Sequence, residues 1–306
     1  MATVAASLRG DAPHVADWDV PEQVGLWSDA WQRFRRNRLA VAGLIIIVFL
    51  IIDALIAPLL VTVGWLKDPL AQDVVNGYAS PGAGHLLGTD ELGRDMLSRL
   101  MFGARISLTI GIVVQFVILA IGGTIGLVAG YFGGRIDNLL MRFTDVMYAF
   151  PDLLFVLIVV AVLGPSLLSI FVAIGIVNWV GLARLVRGQV LSIKEKEFVE
   201  GARAAGSTSF KIIVRHLIPN SLGPVIVSLT FGIPAAILLE ATLSFLGIGI
   251  PPPAPSWGVM VEDGYTAVPA YLHMVIEPAL AIAVTLLSFT FVGDGLRDAL
   301  DPRQRK

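Results

Sequence analysis

Side chains that could carry out chemistry are few in this sequence, and their spacing favours none of the common catalytic sites. No two of the four histidines have the spacing of metal ligands. Ser228 and Ser288 lie in apolar stretches in which no histidine is available as a base. The HExxH, GxSxG and GxxxxGK[ST] motifs are absent from the sequence, and so is cysteine. We therefore predict that this chain is not an enzyme, holds no metal and no cofactor, and does not hydrolyse ATP itself.

The composition places the chain in a membrane. Of its 306 residues, 56% are hydrophobic and only 15% are charged, with a mean hydropathy of +0.78. Soluble domains have about 25% charged residues, and disordered chains combine low hydropathy with high charge, so both classes are excluded. The net charge of −2 gives no indication of nucleic-acid binding. The first thirty residues are acidic and lack an apolar core, so we expect no cleavable signal peptide.

Six stretches are long and apolar enough to cross the hydrocarbon as helices. The sequence therefore predicts an all-α polytopic membrane protein with six transmembrane helices. The third and fourth stretches are separated by a tight turn at Gly164, which indicates a helical hairpin. The predicted spans are 39–63, 106–130, 143–163, 167–186, 222–243 and 274–293.

The distribution of lysine and arginine predicts the orientation of these spans. If the spans alternate, eighteen of the basic residues fall on one side of the membrane and four on the other. Basic residues are enriched in cytoplasmic segments, so both termini are expected in the cytoplasm, with three loops facing outward.

Small and ionisable residues within the spans have two readings each. Gly122, Gly126 and Gly130 share one helix face, which is typical of close helix packing, with a pore-lining role as the alternative. Asp53 and Glu240 are the acidic residues most deeply placed in the spans. Each is expected either to cap or pair with a neighbouring helix or to act directly in transport.

The long segment 184–219 is expected to lie on the cytoplasmic side. Its composition predicts a helix from Glu197 to Ala205, ended by Gly206 in a left-handed conformation. A second short helix is then capped by the run 207–209 and ends before Pro219. The first helix suits a groove on another protein. The alternative is an interfacial helix on the inner leaflet, anchored by basic residues.

This segment resembles the EAA loop of ABC importer permeases. Glu200, Gly201 and Ala202 are followed by three residues, by Gly206, and then by Pro219 thirteen residues later. The sequence departs from that pattern at Gly201, at His216 and at Ile218. Over residues 31–306 the chain resembles the second, C-type permease of the dipeptide/oligopeptide/nickel importer family, through further motifs at 85–108, 131–145, 240–258 and 293–303.

This resemblance implies the fold of a type I ABC importer transmembrane domain in the cell (inner) membrane of a prokaryote. Its implied partners are a second homologous permease, two ABC ATPase subunits that bind ATP and Mg, and an extracytoplasmic substrate-binding protein. Peptides are the implied cargo. Nickel or another small solute is the alternative, and a secondary carrier or membrane enzyme is the alternative from another class. The implied coupling helix consists of Glu200, Gly201, Ala202, Arg203, Ala204, Ala205 and Gly206.

Two outward segments are candidates for contact with the binding protein. The loop 247–272 lacks lysine and arginine and is rich in proline, which suits a docking surface, a gate or a rigid cap. The candidates for contact or gating here are Glu240, Pro251, Pro252 and Trp257. The segment 88–105 is predicted to be an amphipathic outer helix whose charges pair internally, meet the binding protein or are solvated.

The resulting organisation has four parts. Residues 1–38 form a cytoplasmic segment with an interfacial elbow helix around Trp31 and Phe34, where aromatic and basic residues alternate. Residues 39–105 hold the first span and the outer segment, 106–293 form the core with its coupling loop 184–219, and 294–306 are a cytoplasmic tail.

Overall fold

The computed structural model describes residues 26–301, with side chains from residue 28 onward. Within that range the chain is helical and has no strand. The predictions for residues 1–25 and 302–306 lie outside the described residues. Besides a short 3-10 helix at Val74–Asn76, the described range has ten helices: α1 (Leu26–Arg36), α2 (Arg38–Thr62), α3 (Met96–Phe132), α4 (Gly134–Tyr148), α5 (Asp152–Leu163), α6 (Leu167–Ile193), α7 (Glu197–Ala204), α8 (Ser209–Phe245), α9 (Trp257–Tyr265) and α10 (His273–Leu300).

Five of these helices, α2, α3, α6, α8 and α10, are long and apolar enough to cross a membrane, and there are six spans if α4 and α5 together count as one. The alternation of the helices gives the bundle two ends. We call the end that carries α7 the α7 side, and the end that carries α9 the α9 side.

The span predicted over 143–163 is not one continuous helix. The chain bends by 86° between α4 and α5, at Pro151. Proline has no backbone N–H and disfavours the helical conformation of the residue before it, so the helix ends there. With 12 residues, α5 spans about 18 Å, less than the ~30 Å of the hydrocarbon. The predicted turn into α6 is confirmed, with Gly164 at φ +81° and the Ser166 hydroxyl accepting from the Ser169 N–H at 3.0 Å.

The second helix of segment 184–219 does not end before Pro219, as had been expected, but continues as the fifth span. A π turn at Ile213–Leu217 lies immediately before this proline, within α8. A proline in a helix leaves one carbonyl without its partner and crowds the preceding turn, and a local π adjustment accommodates both effects. Similarly, α3 begins at Met96, ten residues before the predicted start of the second span.

The glycines of α3 allow close contact with α6. A Cβ added at Gly122 would lie 2.5 Å from the carbonyl oxygen of Trp179, and one at Gly130 would lie 2.8 Å from the Cβ of Val190. No side chain fits at such separations, so helix packing is the role that the structure gives to this face.

The first helices pack against the last one. A Cβ at Gly43 of α2 would lie 2.6 Å from the carbonyl oxygen of Ser288 in α10. Gly295 of α10 packs in the same way against Ala40 and Phe34. Phe34 is 4% exposed and stacks on Trp31 at 5.8 Å, whereas Trp31 remains half exposed. A helix, α1, is thus present where the elbow helix was predicted, with one aromatic residue facing inward and one facing outward, and its position at the membrane interface stays a prediction.

Candidate functional site

The α7 helix is formed and ended by the residues that the sequence indicated. It runs over Glu197–Ala204, and Gly206 follows it with φ +79°. The Gly206 N–H donates to the Arg203 carbonyl at 3.0 Å, and the Ser207 N–H donates to the Ala202 carbonyl at 3.0 Å. These bonds satisfy carbonyl groups that the end of a helix leaves free. The predicted helix and its glycine stop are confirmed.

Most of α7 faces away from the rest of the chain. Val199 is fully buried and joins the core with Ile212 and Leu217. Ala202 is half-buried, whereas its neighbours are exposed, and a Cβ at Gly201 would meet no atom within 4 Å. The exposed coupling-helix candidates are Glu200, Gly201, Arg203, Ala204, Ala205 and Gly206. One buried side chain therefore holds the helix while its small-residue surface stays open.

Two phenylalanines border this open surface. Phe198 is 47% exposed and lies 5.9 Å from the His216 ring, and Phe210 is 76% exposed. Exposed aromatic rings beside small residues are typical of a surface that another protein covers.

Ionic contacts connect α4 to α6 just before α7. Arg187 donates two hydrogen bonds to Asp137, at 2.5 and 2.6 Å. Arg184 bonds Asp145 at 2.8 Å and lies 4.5 Å from the Tyr148 ring centroid. The alternative was that basic residues anchor this region to lipid headgroups. Lys194 is one of those residues, but its ammonium group donates to the Gly130 carbonyl at 2.9 Å and so binds within the protein.

On the α9 side, Glu240 is buried in a cluster of hydroxyl groups. Its Oε1 accepts hydrogen bonds from Ser244 and Ser256, both at 2.7 Å, and its Oε2 accepts from Ser107 at 3.4 Å. The Ser256 hydroxyl also caps α9 by accepting from the Val259 N–H at 3.2 Å. Glu240 thus connects α8, α3 and the start of α9, which is the structural role among the two expected for it.

The proline-rich loop divides into an exposed part and a buried part. Pro251 and Pro252 are exposed, whereas Trp257 is 1% exposed and donates from its indole N–H to the Leu100 carbonyl at 3.0 Å. Glu240 is 0% exposed. Of the four candidates for contact or gating, Glu240 and Trp257 are therefore buried in this structure, and Pro251 and Pro252 lie on the surface.

The expectation of one amphipathic helix over 88–105 is wrong for its first half. Residues 88–95 form turns stabilised by a β-bridge between Thr89 and Asp95, and the helix begins at Met96 because the Asp95 carboxylate caps it. Most of the charges are not solvated either, whereas Glu91 and Arg105 are exposed. Asp90 and Arg99 are both 1% exposed.

These charges form a buried ion network with α9. Arg94 contacts Asp90 at 2.6 Å, and Arg99 contacts Asp263 at 2.7 Å and Asp90 at 3.3 Å. Burial raises the pKa of Asp263, while Arg99 and Arg94 oppose this rise. The internal-pairing expectation is thus confirmed, but the partner Asp263 was missed. It is remote in sequence, and no local pattern connects it to Arg99.

Asp53 remains without an assigned role. It is half-buried in α2, and no hydrogen bond or ion pair joins it to another residue of the described range.

Comparison with known proteins assigns the family. Residues 122–306 match the family described as binding-protein-dependent transport system inner membrane component. Residues 25–81 match the N-terminal transmembrane domain of oligopeptide transport permease C.

Two relatives and one solved structure extend this match. The chain is 45% identical to the dipeptide transport system permease protein DppC of Bacillus subtilis, over 91% of this chain and 86% of the relative. It is 41% identical to the oligopeptide transport system permease protein OppC of Bacillus subtilis, over 99% of this chain and 96% of the relative. A structure of the MetNI methionine ABC transporter in inward-facing conformations covers 67% of this chain and 98% of its own, with a TM-score of 0.52 and 17% identity, and so shares the fold. The chain belongs to the binding-protein-dependent inner membrane components, and it is a permease of the ABC importer type.

Proposed function

We propose that this permease imports peptides. The observation that carries the proposal is the 41–45% identity, over nine-tenths or more of the chain, to permeases of dipeptide and oligopeptide transport systems. A second homologous permease completes the path, two ATPases that bind ATP and Mg supply the energy, and a substrate-binding protein delivers the cargo. In this assembly the chain itself is non-catalytic and transmits motion.

The α7 side is the cytoplasmic side in this proposal, so both termini lie in the cytoplasm of a prokaryotic cell. The eighteen-to-four distribution of basic residues supports this orientation. It places the exposed surface of α7 where ATPase subunits are found.

The coupling helix of the proposal is Glu200–Gly206. Its support is the exposed small-residue surface, held from below by Val199 and bordered by Phe198 and Phe210. Small residues allow a partner's backbone to approach closely, and the two rings add apolar area at the rim. A short non-helical link, residues 205–208, joins α7 to α8, and Thr208 caps the start of α8, so displacement of α7 acts on a membrane-spanning helix.

Substitution of Gly206 tests this assignment. A valine there must adopt a left-handed conformation, which costs about 1–2 kcal/mol for residues with a Cβ and more for branched ones. We expect Gly206→Val to displace α7 and to reduce peptide uptake per ATP hydrolysed in proteoliposomes that contain the whole transporter. Glu200→Lys should do the same by reversing the charge of the exposed surface.

Gly164→Val is the matched control, because Gly164 also has a positive φ and open space around it but lies in the α5–α6 turn on the other side. With φ +81° and ψ 157°, Gly164 has a conformation that is essentially restricted to glycine, so valine there should strain its own turn at least as much while coupling stays normal. Normal uptake by Gly206→Val and Glu200→Lys in assembled transporters would overturn the coupling-helix assignment.

Pro251 and Pro252 are the proposed contacts for the binding protein, since they are exposed beside the buried Trp257. Shortening the loop by residues 251–253 should weaken association of the binding protein with the transporter in lipid nanodiscs. Unchanged affinity would favour a rigid cap instead.

Cargo is tested on the binding protein that works with this permease. Thermal stabilisation by peptides of two to five alanines supports peptide import, whereas stabilisation by Ni²⁺ alone supports the metal alternative.

A further inference from the structure

A cavity of about 170 Å³ lies between α3, α6 and α8. This volume far exceeds the space for one ordered water, and it is comparable with the ~150 Å³ of protein cavities that admit benzene. Its wall is mostly apolar, but three polar side chains interrupt it: Gln115, Asn178 and Ser228.

Each polar residue comes from a different helix and from its middle part. Gln115 is the twentieth of the 37 residues of α3, Asn178 the twelfth of the 27 residues of α6, and Ser228 the twentieth of the 37 residues of α8. The cavity is therefore near the middle of the spans, where an unpaired polar group is costly and often indicates a substrate pathway.

These side chains do not hold the helices together. The Gln115 amide donates to the Gly111 carbonyl at 3.3 Å, and the Asn178 amide donates to the Ile174 carbonyl at 2.9 Å, each within its own helix. No hydrogen bond joins Ser228 to another residue of the described range. Interhelical hydrogen bonding, the usual structural reason for polar residues in a bundle, thus does not account for them.

The glycines around the cavity keep it open. A Cβ at Gly232 would collide with Oε1 of Gln115, so glycine here allows the amide to lie between α3 and α8. Gly181 also lines the cavity, and a Cβ there would meet no atom within 4 Å. Gly181 therefore does not serve helix contact in this chain, although a glycine within a helix costs about 1 kcal/mol relative to alanine.

We propose that this cavity is a cargo-contact site, in which the side chains of Gln115, Asn178 and Ser228 form hydrogen bonds with the main chain of a peptide in transit. Side-chain amides and hydroxyls both donate and accept, so together they can match peptide N–H and C=O groups irrespective of the cargo's side chains. The apolar wall accommodates about one residue at a time. This inference rests on the proposed peptide import.

Removal of the amides is the first test. In proteoliposomes with the whole transporter, Gln115→Leu with Asn178→Leu should lower the uptake of radiolabelled alanine peptides on the order of tenfold or more. One lost hydrogen bond corresponds to about 2- to 12-fold. ATP hydrolysis stimulated by the binding protein should remain, because α7 is unchanged. Gln189→Leu is the control, since Gln189 is a half-buried glutamine of α6 outside the cavity wall.

Filling the cavity is an independent test. Gly181→Leu adds a side chain into open space without a clash, so assembly should be preserved while uptake falls as in the double amide variant. Gly181→Ala should transport normally.

Water access gives a readout that does not depend on transport. The chain has no cysteine, so Ser228→Cys gives it a single thiol, and the transporter without this substitution gives the background from its other subunits. In the purified transporter this thiol should react with a charged methanethiosulfonate much faster than one placed at Ile45, which lies on the exposed apolar surface of the membrane-spanning helix α2. Loaded binding protein together with ATP should slow the reaction at Ser228→Cys.

The outcomes separate the two proposals. Normal uptake by the amide and Gly181→Leu variants, or a thiol at 228 no more reactive than one at 45, would overturn the cavity as a contact site and leave peptide import intact. If the unmodified transporter hydrolyses ATP but takes up none of these peptides, the proposed function fails instead.

Discussion

Replacement of Glu240 should release the proline-rich loop, and the free-energy cost of the replacement can be worked out from the hydrogen bonds. Both short bonds, from Ser244 and Ser256, end on the same oxygen, Oε1. Glu240→Ala leaves both hydroxyls buried without an acceptor, and each loss costs about 1–3 kcal/mol. The expected cost is therefore about 2–6 kcal/mol, which raises the population of the opened loop by about 30-fold or more.

Glu240→Gln should behave differently. Its one carbonyl oxygen can replace Oε1 and accept both short bonds, while its NH₂ group faces the Ser107 hydroxyl, which can accept a hydrogen bond. We expect a cost of less than about 1 kcal/mol, within the range of one neutral hydrogen bond. The comparison of the two variants thus distinguishes the loss of an acceptor from a change of side-chain chemistry.

Cleavage by chymotrypsin after Trp257 measures the opening, because this residue is 1% exposed when the loop is closed. Cleavage tracks the opened population when closing is faster than proteolysis. The site is followed by mass spectrometry on the transporter in nanodiscs. Glu277→Gln is the control, since Oε2 of Glu277 is buried without a hydrogen-bond partner in the described range. Cleavage of Glu240→Ala at the original rate, or equal rates for the alanine and glutamine variants, would refute the reasoning.

Two further perturbations follow from packing and charge. Gly126→Val places a side chain against the Ala183 carbonyl and the Val186 side chain, so it should destabilise the α3–α6 contact by about 1–3 kcal/mol. Gly123→Ala is the control and should change the stability little, because the nearest contact of the added Cβ is a leucine side chain at 3.3 Å. Thermal unfolding of the purified transporter measures both, and equal midpoints would contradict the packing role. Burial, with Asp263 and Glu91 nearby, raises the pKa of Glu262, so the folded state binds this proton more tightly and loses stability as the pH rises through the folded pKa. Glu262→Gln should therefore stabilise α9 against chymotrypsin at pH 7 and have little effect below the ordinary pKa of 4.5, and an equal effect at both pH values would exclude this carboxyl as the cause.

Local patterns predicted those parts of the fold that depend on neighbouring residues. Gly206 ends α7 because a left-handed residue is required there, and the Gly122–Gly130 face packs closely because α6 needs space for its backbone. Both signals are contained within about two helical turns of sequence.

The remaining features depend on residues that are distant in the chain. Arg99 is buried because Asp263 lies opposite it, and Glu240 is buried because Ser107 and Ser256 come from other elements. Hydropathy alone also predicted a single span across Pro151, where the structure has the two helices α4 and α5, because an apolar run gives no information about a bend. Gln115 was overlooked because one amide in an apolar span carries no periodic signal.

The packing of α1 and α2 against α10 sets an order of events during synthesis. The surface of Gly43 and Ala40 finds its partners, Ser288 and Gly295, only when the last helix has been made. At roughly 5–20 residues per second, that interval is on the order of ten to fifty seconds. Throughout it, the face of α2 that carries Gly43 and Ala40 lacks its partner from α10, so the first span gains this part of its packing only at the end of synthesis.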